Sequence, residues 1–238
     1  VKFAKFIFYC TFSVEGVGAL LLAVRFIPQY GVSDGIAKSI FHSVSAFCNA
    51  GFDIIGHCDS LSGYAADPYL SVLISLLVIV GGLGFYVWRD LFLYFRKKQR
   101  LSPYSKLVLF ATAGLLVSGT LLLFAFENEN PAFDAFSRPK LFLTSFFQSA
   151  VTRTAGFYTI PLSELSSTSK AVSMVLMFIG GASGSTAGGI KVGTFAVIMI
   201  AMAATIRGKN SFVVFGRRIS LNNVLRAMGI LAVGIAIV

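Results

Sequence analysis

Charge is scarce in this chain of 238 residues: only 13 % are Asp, Glu, Lys or Arg, against 56 % hydrophobic and a mean hydropathy of +0.80. A soluble domain of this length would hardly carry so little charge, so the composition is that of a polytopic membrane protein with the lipid bilayer as its surroundings. Histidine is limited to His42 and His57, and cysteine to Cys10, Cys48 and Cys58. The three thiols show neither paired metal spacing nor the even count of a disulfide framework, which leaves packing as their simplest role. No organic cofactor is expected.

Acid is the scarcer sign, ten residues against twenty basic ones. A net charge of +10 suggests nucleic acid as a partner, but the placement of the charges argues against it. Basic residues gather at Lys2 and Lys5, at Arg96, Lys97, Lys98, Arg100 and Lys106, and at Arg207, Lys209, Arg217 and Arg218. Asp34, Asp53, Asp59, Asp67, Glu127, Glu129, Asp134 and Glu164 lie between those clusters. Positive charge between spans marks the cytoplasmic side, so the acidic stretches fall outside.

Residues 6–27 are too long for the apolar part of a signal peptide and lack a small-residue cleavage site after them, so they read as a span. Glu15 stands near its middle, where a carboxyl group either bonds a neighbouring helix or contacts an ion. Residues 29–35 read as an exterior turn and residues 69–95 as the return crossing. Between them lies a shorter apolar segment, 36–48. At ~1.5 Å per residue it reaches ~20 Å, against a hydrocarbon core of ~30 Å. Both ends of the unit are cytoplasmic by charge, so the short middle segment dips in and returns. The plan repeats: 107–126 spans, 141–153 is the second short segment, and 170–206 returns.

Each short segment closes on a similar tetrapeptide, Asn49-Ala50-Gly51-Phe52 and Thr154-Ala155-Gly156-Phe157. Backbone that leaves its helix at membrane depth survives only packed in protein or lining a water-filled cavity. A re-entrant helix that stops at glycine is how channels present carbonyl oxygens to a dehydrated cation. Phe52 and Phe157 are expected to wedge the strands from behind. Arg153 is expected to point backward onto carbonyls or an acid. Outer acids Asp53, Asp59 and Glu164 either concentrate cations or simply solvate their loops.

As an unbroken helix, residues 170–206 would measure ~55 Å, nearly twice the hydrocarbon thickness. Gly180-Gly181-Ala182-Ser183-Gly184-Ser185-Thr186-Ala187-Gly188-Gly189 holds five glycines at mid-span and predicts a non-helical intramembrane loop. Lys191, just beyond, either bars ions until the loop moves or snorkels or pairs with an acid. Gly181-Ala182-Ser183-Gly184 also fits the G-x-S-G of rhomboid-type intramembrane serine proteases, for which Ser183 needs a histidine base within reach. His42 and His57 lie on no later span, which argues against that enzyme. The P-loop order fails because Ile190 separates Gly189 from Lys191.

On Cys48-Asn49-Ala50-Gly51-Phe52-Asp53, Thr152-Arg153-Thr154-Ala155-Gly156-Phe157 and the 180–189 loop with Ile190-Lys191, the chain resembles the Trk/Ktr/HKT superfamily of potassium transporters over essentially its whole length. It is most similar to the bacterial Ktr-type membrane subunit. The resemblance implies an all-α polytopic membrane protein of span, pore-helix, span repeats around a pseudo-fourfold axis. Residues 1–100 would be the second repeat, 101–210 the third with a broken second span, and 211–238 the start of the fourth. It implies potassium, with sodium as a second ion, at the carbonyls of Asn49, Ala50, Gly51, Thr154, Ala155 and Gly156, with Gly51 and Gly156 as filter glycines and 180–189 as the gate loop. It further implies a homodimer in a bacterial plasma membrane, seated on a cytoplasmic nucleotide-binding ring of the RCK type. A sodium-selective or non-selective relative is the alternative within transport. Because the chain begins at Val1 and ends in an apolar run, it is expected to be an excerpt of a longer polypeptide.

Overall fold

The computed structural model describes residues 2–56, 60–65, 67–134, 136–208 and 211–237; the expectations for His57, Cys58, Asp59 and Lys209 lie outside the described residues. Helix α1 (Lys2–Tyr30) has 29 residues and α5 (Pro103–Glu127) has 25, and both are long and apolar enough to cross a membrane. After each comes a shorter helix, α2 (Val32–Phe47) and α6 (Arg138–Val151). At ~1.5 Å per residue these reach ~24 Å and ~21 Å, so neither crosses ~30 Å of hydrocarbon. Both begin a few residues earlier than periodicity suggests, because the chain reverses more tightly than expected. The exterior turn shrinks to Gly31, whose φ of +83° suits only glycine comfortably, and Gly35 lies directly on the backbone of Ile27.

The return limbs are α3 (Pro68–Gly82) with α4 (Phe85–Lys97), and α7 (Ser167–Phe178) with α8 (Val192–Ile206). Their starts are written plainly in the chain. Asp67 accepts the amides of Tyr69 and Leu70 ahead of Pro68, Ser102 accepts that of Ser105 ahead of Pro103, and Ser166 accepts that of Ser169.

The expected single crossing over 69–95 is corrected: it breaks at Leu83-Gly84, and α4 leaves α3 at 99°. Gly84 takes φ +86°, and the Trp88 indole N–H donates to the Val80 carbonyl at 3.0 Å, satisfying one acceptor the break frees. The Gly81-Gly82 pair before this bend corresponds to Gly180-Gly181 before the second break. Both units therefore interrupt the return limb at the same glycine pair, and the second adds a loop there.

The internal repeat also shows in packing. A Cβ on Gly18 of α1 would meet the Ser43 hydroxyl of α2 and the Leu77 side chain of α3. A Cβ on Gly119 of α5 would meet the Ser149 hydroxyl of α6 and the Leu176 side chain of α7. Each serine donates to a carbonyl of its spanning helix, Ser43 to Glu15 at 2.7 Å and Ser149 to Leu116 at 3.1 Å. Small residues let these backbones approach closely, which is how helices associate in lipid. A core of Leu22, Phe26, Phe47-adjacent Ala46, Ile74, Phe147 and Phe157 joins the two units. Beyond the N-terminus of α3 the Leu61 amide donates to the Tyr158 carbonyl at 3.0 Å. Burial, reinforced by the Tyr30 hydroxyl at 2.8 Å, pushes the Tyr64 hydroxyl pKa up in the same connection.

Between α8 and α9 (Leu221–Ile237) stands a hairpin that periodicity did not reveal, β1 (Phe212–Val214) against β2 (Arg217–Ile219). Phe215 and Gly216 hold φ of +47° and +76°, the signature of a tight two-residue reversal. Phe215 stacks on Phe110 and carries the Lys106 ammonium over its ring, so the hairpin and the start of α5 share one end of the molecule. The contacts of Phe3 with Tyr86 and of Phe6 with Phe92 bring the start of α1 and α4 to each other in the same way.

The packing contrast is testable in the full-length protein in detergent. Gly119→Ala should cost about 1–3 kcal/mol by displacing the Ser149 hydroxyl. Gly114→Ala, whose Cβ meets nothing within 4 Å, should be neutral, as read from thermal unfolding midpoints.

Candidate functional site

Helices α2 and α6 end where the two tetrapeptides begin, so both turn the negative ends of their dipoles toward the same region. In the first strand Asn49 has φ +53° and Gly51 φ +71°, with Ala50 between them at negative φ. In the second, Thr154 has φ +86° and Gly156 φ +85°, again flanking an alanine at negative φ. In an ordinary extended strand successive carbonyls point to opposite sides. Alternating left-handed residues turn them to the same side. For a β-branched residue such as Thr154 this conformation is a genuine outlier, held at a cost of ~1–3 kcal/mol.

The strands lie against each other. A Cβ on Gly51 would collide with the Ala155 carbonyl oxygen and stand 2.9 Å from the Gly156 Cα, and one on Gly156 would stand 3.5 Å from the Gly51 Cα. The amides of Ala50 and Ala155 are spent on the helix ends, donating to Ser45 and Val151 at 2.9 Å each. Among the described residues none of the carbonyl oxygens of Asn49, Ala50, Gly51, Thr154, Ala155 and Gly156 accepts a hydrogen bond. Six acceptors on two neighbouring strands are thus left to whatever enters between them.

The support residues behave unequally. Phe157 is buried in the joint core. Phe52 is 69 % exposed and does not wedge its strand, which corrects that expectation. The first strand is anchored instead through its backbone, the Ser45 hydroxyl donating to the Phe52 carbonyl at 2.7 Å. Arg153 points backward and is buried, with its guanidinium reaching the Thr112 carbonyl at 3.5 Å and no carboxylate within ion-pair distance among the described residues. Glu15 accepts the Cys48 thiol at 3.6 Å, at the C-terminal cap of α2.

The glycine-rich stretch is non-helical, as its composition predicts. Its neck is closed by the Gly180 amide donating to the Ile190 carbonyl at 2.9 Å and the Ile190 amide donating to that of Phe178 at 3.1 Å. Gly180 has no room for a side chain against the Gly188 carbonyl. Its tip docks on the α3–α4 break: Ala182 donates to Gly82 at 2.8 Å, and Phe85 donates to Gly184 at 2.9 Å. Within the loop the Ser185 hydroxyl donates to Ala182 at 2.7 Å. The Lys191 ammonium donates to the Ala187 carbonyl at 2.7 Å and so ties off its own loop. The Ser183 hydroxyl meets no histidine among the described residues, since His42 is buried in α2 with Nδ1 on the Lys38 carbonyl at 2.7 Å.

Sequence reasoning placed Thr186 in the 180–189 loop but not its partners: its hydroxyl donates to the Phe47 carbonyl at 2.9 Å and accepts from the Asn49 amide at 2.8 Å. A hydroxyl-bearing pair inside a glycine run was the available signal. It also passed over Gly81, where a Cβ would collide with that same Phe47 carbonyl.

Two spanning helices, each followed by a short re-entrant helix and a broken return limb, define a membrane protein of repeated pore-type units. Residues 2–238 match the family described as TrkH, cation transport protein, and the chain belongs to it. It is 41 % identical over 228 residues to the potassium/sodium uptake protein NtpJ of Enterococcus hirae, covering 96 % of this chain and 50 % of that protein. It is 36 % identical to the Ktr system potassium uptake protein B of Bacillus subtilis, over 100 % of this chain and 53 % of the relative. The crystal structure of the potassium transporter TrkH from Vibrio parahaemolyticus superposes with a TM-score of 0.73 at 20 % identity, over 96 % of this chain and 48 % of that one. The chain thus spans about half the length of the relatives it matches, and the family is one of transport proteins rather than enzymes.

The strain at Thr154 gives a stability prediction. Thr154→Gly should raise the thermal midpoint of the full-length protein, by relief of ~1–3 kcal/mol, and Gly51→Ala should lower it through its collision with the Ala155 carbonyl.

Proposed function

We propose that this chain contributes two of the strands through which a bacterial plasma-membrane protein takes up potassium. The observation that carries this reading is the pair of strands with alternating left-handed residues and six carbonyl oxygens free of hydrogen bonds. Such oxygens replace the hydration shell of a dehydrated cation, and the converging helix C-termini favour positive charge beside them. The ion is then substrate at Asn49, Ala50, Gly51, Thr154, Ala155 and Gly156. The 180–189 loop stands at the end of the first strand, where it obstructs passage until it moves. The names of the relatives in Enterococcus hirae and Bacillus subtilis support potassium, and that of the former adds sodium.

By the same family likeness, the protein works as a homodimer on a cytoplasmic nucleotide-binding ring, with the basic ends of α1, α4 and α5 and the hairpin facing that ring. Residues 1–100, 101–210 and 211–238 are then the second, third and opening fourth repeats of a fourfold pore.

In liposomes holding the full-length protein, Gly156→Ser should change the potassium-to-sodium permeability ratio, and an unchanged ratio overturns the filter reading. Deleting several residues within 182–188 should raise cation flux; unaltered or lower flux in well-folded protein reduces the loop to a packing joint.

A further inference from the structure

The loop and the first strand are not separate parts. The Thr186 hydroxyl occupies the junction between them, with its proton on the Phe47 carbonyl and its oxygen accepting from the Asn49 side chain. The Asn49 amide group has otherwise only longer contacts, 3.3 Å to the Phe47 carbonyl and 3.5 Å to that of Val78. Asn49 is buried and holds a left-handed φ of +53°, a conformation that persists only where its surroundings impose it. Phe47 is the last residue of α2, so its carbonyl is one that no helical amide satisfies. Gly81 allows this convergence: a Cβ there would collide with the Phe47 carbonyl and stand 3.0 Å from the Thr186 hydroxyl oxygen.

We propose that Thr186 is a positioning residue that ties the conformation of the first carbonyl strand to the seated position of the 180–189 loop. When the loop leaves its seat, Asn49 and the end of α2 lose their best hydrogen bonds together, and the strand is free to relax. Ion discrimination and loop opening are then two readings of one equilibrium. The second strand has no such tie, because its Thr154 hydroxyl finds no partner among the described residues. This inference rests on reading residues 49–51 as an ion-contacting strand.

The test is flux of potassium and of sodium through the full-length protein in liposomes. Thr186→Val, which keeps the shape and removes the hydroxyl, should both raise flux and shift the potassium-to-sodium ratio about fivefold, the factor expected for one lost neutral hydrogen bond. Thr186→Ser keeps the hydroxyl and should restore the wild-type ratio, a rescue that a merely space-filling role would not give. Should Thr186→Val fail to fold, Thr186→Ala serves the same comparison. Asn49→Ala combined with Thr186→Val should shift the ratio no further than Asn49→Ala alone. Raised flux with an unmoved ratio, no effect on either, or full additivity each overturns the tie. Gly156→Ser, which touches neither Thr186 nor Asn49, separates the cases. If it moves the ratio while Thr186→Val does not, the filter reading stands and only the tie fails.

Discussion

A main-chain carbonyl stranded at membrane depth must find a partner, because the hydrocarbon offers none and the loss runs to several kcal/mol per group. The helices of this chain meet that demand internally over most of their length. Among the described residues it goes unmet where α2 and α6 stop short and hand over three-residue strands whose carbonyls accept no hydrogen bond. The two strands lie side by side, and the fold spends two left-handed residues on each. The glycine–serine contacts that bring α2 onto α1 and α6 onto α5 hold those strands in register, so helix packing and carbonyl geometry are one problem.

The loop obeys the same demand differently. Its ten residues would expose amides and carbonyls in mid-membrane, yet many are absorbed locally. The neck closes on Ile190 and Phe178, the tip donates to the Gly82 carbonyl and accepts from the Phe85 amide, Ser185 turns inward, and Lys191 covers Ala187. What composition marks as a flexible glycine run is a folded plug with its own hydrogen-bonding plan. Its main-chain bonds to the α3–α4 break are few, through Gly81, Gly82 and Phe85.

Much of this was legible in the chain. The shortness of two apolar segments, the repeated Ala-Gly-Phe and the glycine run marked two re-entrant helices and a broken limb, and all three are present. Helix length and glycine content are local properties, so a sequence displays them. The bend after α3 was missed because the Gly81 to Gly84 stretch is embedded in apolar residues, and hydropathy alone cannot separate one long span from two short helices at 99°. Phe52 was misplaced because burial depends on what surrounds a side chain, and its counterpart Phe157 has the joint core that Phe52 lacks. The contacts of Thr186 were invisible because its partners, Phe47 and Asn49, lie far off in the chain and meet it only once both units have packed. The partners of Arg153 and Lys191, the carbonyls of Thr112 and Ala187, could not be read from the chain, because a main-chain acceptor leaves no mark in the sequence.

The closed neck of the loop has a consequence for how such a chain tolerates insertion. Gly180 and Ile190 are bonded directly across its base, so α7 ends and α8 starts at nearly the same point in space, whatever lies between. The excursion is topologically a bubble on a hinge that the first unit already possesses without one. Residues added beyond that base would lengthen the excursion without by themselves parting the ends of α7 and α8.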